Sequence, residues 1–172
     1  MLNGRTIIKE CIYEAYLQLL EEKQSDNISI TEITDRAGVS RVSYYRNYDS
    51  KTEIINDYLK DYLKFYYEKN NIEPNSCDFN QHLYHILDIC KENKRLFKIL
   101  FKLGIHLKNS NVITLQTFNY VEKRFKNQLN ATTKYDLCFY SGAIIFVLYE
   151  WLANDCKETI EEIHNIIMKN LL

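Results

Sequence analysis

The sequence contains few residues that break secondary structure, with only 4 glycines and 1 proline in 172 residues. Sheet proteins of this length need more turn residues, so the shortage favours long helices joined by short connections. The length fits one or two small domains. We therefore expect an all-α fold.

The 5 cysteines are odd in number, widely spaced and without a CxxC motif, which argues against a disulfide framework. The first residues lack the apolar stretch and cleavage site of a signal peptide. The most apolar run, 137–152, is short and is interrupted by Ser141, Gly142 and Glu150, so it does not predict a membrane span. These absences favour reduced thiols in a cytoplasmic protein that does not contact membranes.

The common catalytic motifs are also missing. We find no nucleophile elbow, no glycine-rich phosphate loop and no HExxH motif, so the sequence predicts neither an enzyme nor a cofactor. His82 and His85 are three residues apart with Cys90 beyond them, but no third ligand is obviously placed, and we expect no metal site. The apolar neighbours of Cys138 favour inert packing over redox sensing.

The formal net charge of -1 excludes nucleic-acid binding driven by overall charge. Residues 1–51 carry seven Lys or Arg and eight Asp or Glu, so even this part is not basic on average. The positive charge is local, because residues 41–51 contain Arg41, Arg46 and Lys51 but only one acid, Asp49. Contact with an anionic partner would have to use this short segment.

Residues 29–54 (SITEITDRAGVSRVSYYRNYDSKTEI) predict two short helices joined by a tight turn. Ser29 and Glu32 have the spacing of a capping box, which opens the first helix. Gly38 can adopt the positive φ that ends this helix, and Ser40 can cap the second helix. The pattern indicates a helix-turn-helix, in which the first helix braces the second in the major groove of DNA.

The residues of this segment divide into an inner and an outer set. Those suited to the contact between the helices are Ile33, Ala37, Val39, Tyr44 and Tyr48. Those expected to point outward are Arg41, Val42, Ser43, Tyr45, Arg46 and Asn47. The outer set could contact base edges, a thymine methyl or phosphates.

The same segment resembles the DNA-binding region of the TetR-type regulators. The residues that match without a gap are Ser29, Ile33, Ala37, Gly38, Val39, Ser40, Tyr45, Ser50, Lys51 and Ile54. The resemblance implies phosphate contacts from Tyr45 and Lys51 and base contacts from residues 41–43. Val42 stands where the family usually has Gly or Pro, and Tyr48 where it usually has Phe. The expected DNA-binding residues are Ser29, Thr31, Ser40, Arg41, Val42, Ser43, Tyr45, Arg46, Asn47 and Lys51.

Apolar periodicity and capping residues predict seven further helices, about nine in all. They run over 5–23, from Ser50 to about Asn70, from Asp78, over 94–103, over 110–129, from Thr133 to about Asn154, and from Thr159. We expect a DNA-binding domain over residues 1–50, a connecting helix over 50–70, and a helical effector-binding and dimerisation domain over 51–172.

Residues 139–167 resemble the ending of one branch of the TetR family. The resemblance implies that the last two helices of each subunit form a four-helix interface in a homodimer. The expected interface residues are Gly142, Ile145, Phe146, Tyr149, Trp151, Ile163 and Ile167. Two recognition helices about 34–36 Å apart would then read successive major grooves of a palindromic operator.

The resemblance also implies a repressor that a small-molecule effector releases from its operator. Candidate residues for the effector pocket are Tyr84, Leu87, Phe97, Phe101, Tyr120 and Tyr140, although aromatic residues at helical spacing commonly form a core. The alternative is a regulator whose second half binds a partner protein and no small ligand.

Overall fold

The computed structural model describes residues 6–73, 78–102, 122 and 134–171. These residues contain eight α-helices and no strand, so the all-α prediction is confirmed. The helices are α1 (Ile7–Glu22), α2 (Ile30–Ala37), α3 (Arg41–Tyr45), α4 (Lys51–Lys69), α5 (Phe79–Glu92), α6 (Lys94–Lys102), α7 (Lys134–Ala153) and α8 (Ile160–Asn170). The helix expected over 110–129 lies outside the described residues, apart from Glu122.

The chain divides into two compact units, Met1–Asn71 and Ile72–Leu172. The helix that we expected to connect two domains is α4, and it groups with the first unit.

Short polar residues begin the helices of the first unit. In the confirmed capping box of α2, the Ser29 Oγ accepts from the Glu32 amide at 3.2 Å, and the Glu32 Oε2 accepts from the Ser29 amide at 2.9 Å. Gly38 ends α2 with a φ of 65°, as predicted. A Cβ at Gly38 would meet none of the described atoms within 4 Å, so the positive φ is the observed reason for glycine here.

The core of the first unit forms where α1 packs against α2 and α4. The side chains that are almost completely buried there include Ile12, Leu20, Ile33, Ile54 and Leu59. Burial of one such side chain contributes roughly 1.5–3 kcal/mol. This core holds α2 in place as the support for α3, which it contacts directly.

The second unit packs α5 against α8 and α6 against α7. The predicted caps of α5 and α8 are confirmed as capping boxes, Asp78 with Gln81 and Thr159 with Glu162. The Trp151 Nε1 donates to the Glu158 carbonyl oxygen at 3.0 Å and so ties the end of α7 to the turn before α8.

None of the described helices is both long enough and apolar enough to cross a membrane. Within the same described ranges, no three His, Cys, Asp or Glu side chains are grouped so that they could hold a metal ion. The prediction of inert packing is wrong for Cys138, which is exposed on α7. Cys90 and Cys156 are buried, and burial raises the pKa of both thiols.

Candidate nucleic-acid interface

The short helix α3 has one buried and one exposed side. Tyr44 is 0% exposed, and burial raises the pKa of its hydroxyl to about 12. Val42 and Tyr45, by contrast, are 62% and 50% exposed, and Arg41 and Arg46 are exposed as well. Tyr44 therefore anchors α3 to the first unit while its neighbours are presented outward.

The serines of the expected DNA-binding set hold backbone in place. Ser29 and Ser40 cap α2 and α3, and the Ser40 and Ser43 hydroxyls lie 2.9 Å apart. The Asn47 Nδ2 donates to the Ser43 carbonyl oxygen at 2.7 Å. Thr31 is exposed in the first turn of α2. These bonds fix the ends of both helices, so the serine and asparagine side chains shape the interface whether or not they touch DNA.

Lys51 begins α4 and is directed toward the turn that precedes α2. Its ammonium donates to the carbonyl oxygens of Ser25 at 2.6 Å and Ile28 at 2.7 Å. The side chain is half-buried. An ammonium has three N–H donors, so one donor remains beyond these two bonds.

Most other cations of the first unit are paired with acids, which leaves the charge of α3 uncompensated. Arg36 binds Glu22 through two bonds of 2.6 and 3.1 Å, and Lys23 pairs with Glu32. The described residues provide no ion-pair partner for Arg41 or Arg46. The unit is therefore locally positive at α3, although Asp and Glu outnumber Lys and Arg across residues 1–71.

A polar cluster, formed by Lys9, Tyr48 and Asp57, lies behind the interface. The Tyr48 hydroxyl donates to the Asp57 Oδ2 at 3.0 Å, and the Lys9 Nζ lies 3.1 Å from both carboxylate oxygens. Lys9 and Asp57 are 48 residues apart in sequence. Our sequence reasoning placed Tyr48 in the helix contact but missed both of its polar partners, because no short motif links them.

The residues expected to line an effector pocket do not share one environment. Leu87 and Phe97 are at most 2% exposed in the core, whereas Tyr84 is 37% exposed and stacks on His164 with ring centroids 4.0 Å apart. Phe101 contacts Tyr149 edge to face. Tyr140 is partly exposed, and Tyr120 lies outside the described residues.

A groove of about 520 Å³ does occur in the second unit, along α7 and the start of α8. Its lining residues are Phe146, Val147, Glu150, Trp151, Ala153, Asn154, Glu158 and Ile163. None of the expected effector residues lies among them.

The expected dimer residues separate into exposed and buried groups. Phe146 and Tyr149 are 64% and 38% exposed on α7, Gly142 is exposed, and Ile145 is half-buried. The expectation needs correction for three residues, since the core of their own subunit already buries them: Trp151, Ile163 and Ile167. Phe139, which is 71% exposed, extends the outer face of α7.

Comparison with known proteins agrees with this architecture. A TetR C-terminal family model, described as "Transcriptional regulator C-terminal region", matches residues 77–172. The solved structure of a TetR transcriptional regulator from Streptococcus agalactiae 2603V superposes with a TM-score of 0.64 at 20% identity, covering 95% of this chain and 93% of that one. The dihydroxyacetone kinase operon activator DhaS superposes with a TM-score of 0.56 at 16% identity, with the same two coverages.

A further relative is the UPF0122 protein FN1394 of Fusobacterium nucleatum subsp. nucleatum. It is 33% identical over 90 residues, which are 48% of this chain and 81% of that protein. The family model covers more than half of the present chain, and the two structural matches have the same fold as this chain. The chain therefore belongs to the TetR-type transcriptional regulators, which are transcription factors and not enzymes.

Proposed function

We propose that this regulator binds a palindromic operator as a homodimer and places the exposed side of α3 in the major groove. The observation that carries the proposal is the sidedness of α3, since Tyr44 is completely buried while Val42 and Tyr45 are largely exposed. A helix-turn-helix needs this arrangement, because the side chains that read bases must project from the protein surface into the groove.

The exposed residues have chemistries that suit different parts of the duplex. Arg41 can donate two hydrogen bonds to a guanine edge, and Val42 can pack on a thymine methyl. Tyr45 and Lys51 suit phosphates, which set the register of the protein without reading sequence. The complete proposed set is Ser29, Thr31, Ser40, Arg41, Val42, Ser43, Tyr45, Arg46, Asn47 and Lys51.

Dimerisation through the outer face of α7 would supply the second recognition helix. Phe139, Phe146 and Tyr149 expose large apolar surfaces on this helix. Patches of this kind commonly mark protein–protein contacts in soluble proteins. Gly142 lies between them and carries no side chain to keep a partner helix away. The proposed interface is formed by Phe139, Gly142, Ile145, Phe146 and Tyr149.

For the direction of regulation, the likeness of residues 29–54 to TetR-type regulators supports repression that a small-molecule effector relieves. An effector that binds better to a conformer with misplaced recognition helices would lower operator affinity by that difference. Activation is the competing outcome, because DhaS, one of the two structural matches, is an operon activator.

A partner protein in place of a small effector is the second candidate. The observation that favours it is the close packing of Leu87 and Phe97, which we expected to line a pocket. A panel of small metabolites that raises the melting temperature and releases DNA would support an effector. Co-purification of one stoichiometric protein whose removal changes operator affinity would support the partner.

Selection of bound duplexes from random DNA tests the operator proposal. We expect enrichment of one inverted repeat. A reporter gene placed behind that repeat then shows the sign of regulation, since deletion of the regulator should raise expression if it represses. Recovery of unrelated sequences after several rounds would contradict sequence-specific binding.

A further inference from the structure

Tyr48 lies just beyond α3, after the turn formed by residues 46–47. Its backbone amide donates to the Tyr44 carbonyl oxygen at 2.9 Å, so it moves with the recognition helix. The side chain is 3% exposed and is directed away from the exposed side of α3, toward α1 and α4.

The Tyr48 hydroxyl joins three elements through one carboxylate. It donates to the Asp57 Oδ2 in α4 at 3.0 Å, and the same carboxylate receives the Lys9 ammonium from α1. The Lys9 Nζ also lies 5.6 Å from the centre of the Tyr48 ring. The ion-paired side chains are only 27% and 26% exposed. Hydrogen bonds to a charged group are stronger than neutral ones, and partial burial reduces their screening.

We propose that Tyr48 is a positioning residue for DNA recognition, because its bond to the Asp57–Lys9 pair fixes the C-terminal end of α3 relative to α1 and α4. The inference rests on the proposed operator binding by α3. A phenylalanine could fill the same space but could not donate the hydrogen bond. The side chains that touch DNA would then be intact but less well oriented.

The first experiment compares Tyr48→Phe with a matched control, Tyr44→Phe. Tyr44 lies one turn earlier, is equally buried, and its hydroxyl has no hydrogen-bond partner among the residues that the structure describes. Fluorescence anisotropy would measure the affinity of each variant for the selected operator and for a scrambled duplex. We expect Tyr48→Phe to weaken operator binding about five- to tenfold, which is less than the full loss of one charge-assisted bond because the lost bond lies within the protein and not on the DNA. Scrambled-duplex binding and the salt dependence should not change.

The control variant should bind both duplexes like the wild type. Operator affinity within twofold of wild type for Tyr48→Phe would overturn the inference. Equal weakening on operator and scrambled DNA would overturn it too, because a general loss of folded protein affects both duplexes alike. Failure of the wild type to bind any duplex would instead contradict the proposed function itself.

A double-mutant cycle tests the route through Asp57. In an Asp57→Ala background, Tyr48→Phe should cause no further loss of operator affinity, because the hydroxyl no longer has its acceptor. A full, additive loss in that background would show that Tyr48 acts by another path. The melting temperature of each variant sets a measuring temperature at which all of them are folded.

Discussion

Tyr44 and Tyr45 are consecutive residues whose rings meet edge to face, with centroids 5.4 Å apart, yet one is buried and the other half-exposed. The pair marks the boundary between the part of α3 that holds it in the fold and the part offered to DNA. Both side chains carry a hydroxyl, but only Tyr45 is exposed, so we expect substitution by phenylalanine to affect DNA binding at Tyr45 and not at Tyr44.

We expect Tyr45→Phe to weaken binding on every DNA sequence, because the hydroxyl is assigned to a phosphate. Loss of a charge-assisted bond corresponds to about 1.5–3 kcal/mol, or roughly tenfold or more in affinity. Anisotropy titrations on operator and scrambled duplexes would measure the change. Unchanged affinity on both duplexes would contradict the phosphate assignment.

Arg41→Ala should relax base preference instead of weakening all binding equally. A good bidentate arginine–guanine contact discriminates by about 1–3 kcal/mol, so one operator position should lose its preference. Binding to single-base variants of the operator would show which position is affected. An unchanged preference at every position would place Arg41 away from the bases.

Lys51→Ala is expected to weaken binding on all sequences and to reduce the salt dependence. One lost phosphate contact lowers the slope of log affinity against log salt by about 0.9. The two carbonyl bonds of Lys51 offer a different explanation for any loss, since they hold the turn before α2. A reduced affinity with an unchanged slope would assign Lys51 to that turn alone.

Phe146→Glu should convert the proposed dimer to a monomer, because a carboxylate would be buried in an apolar interface. An unpaired buried charge costs several kcal/mol. Light scattering at micromolar concentration would measure the mass. The control Gln18→Glu adds the same charge on an exposed position of α1 and should leave the mass unchanged. If the Phe146→Glu protein remained a dimer, the interface would not include Phe146.

Gly142→Ala tests the same interface from the opposite direction. None of the described residues of the same subunit lies within 4 Å of the added methyl, and alanine favours a helix by about 1 kcal/mol over glycine. A partner helix packed close to Gly142 would nevertheless be displaced. We expect a more stable subunit but a weaker dimer. An unchanged dimerisation constant would show that no partner helix packs against Gly142.

Acid stability should depend on Glu32. Its bonds from Lys23 and from the Ser29 amide and hydroxyl lower the pKa of Glu32 from about 4.5 to about 2. A lowered pKa in the folded state stabilises the protein above the unfolded pKa, and this contribution disappears as the pH falls toward 2. Glu32→Gln should therefore unfold at lower urea concentration near neutral pH and match wild type at the acid end. A difference that does not vary with pH would exclude this carboxylate as the cause.

The helix ends and the turn were predictable because they depend on local chemistry. Ser29, Gly38 and Thr159 act through atoms within a few residues of themselves, so their spacing in the sequence determines the bonds that form. The burial of Tyr44 against the exposure of Tyr45 also follows from helical periodicity once the helix is recognised.

The long-range contacts could not be predicted in the same way. Nothing in the sequence pairs Asp57 with Lys9, because helix packing brings together residues that share no motif. For Trp151, a large apolar residue on one of the last two helices fits a subunit core or a dimer contact equally well. We expected Trp151 at the dimer interface because of the family likeness, but the side chain packs in the core of its own subunit.

We propose that two copies of α3 read one operator. The most direct measurement is a stoichiometric titration of the selected duplex with wild type and Arg41→Ala at one salt concentration. We expect two protomers per duplex, half-sites one helical turn apart (about 10 bp), and reduced discrimination between operator and scrambled DNA in the variant. A wild-type protein that ignores duplex DNA at low salt, or a variant that discriminates as well as wild type, would contradict it.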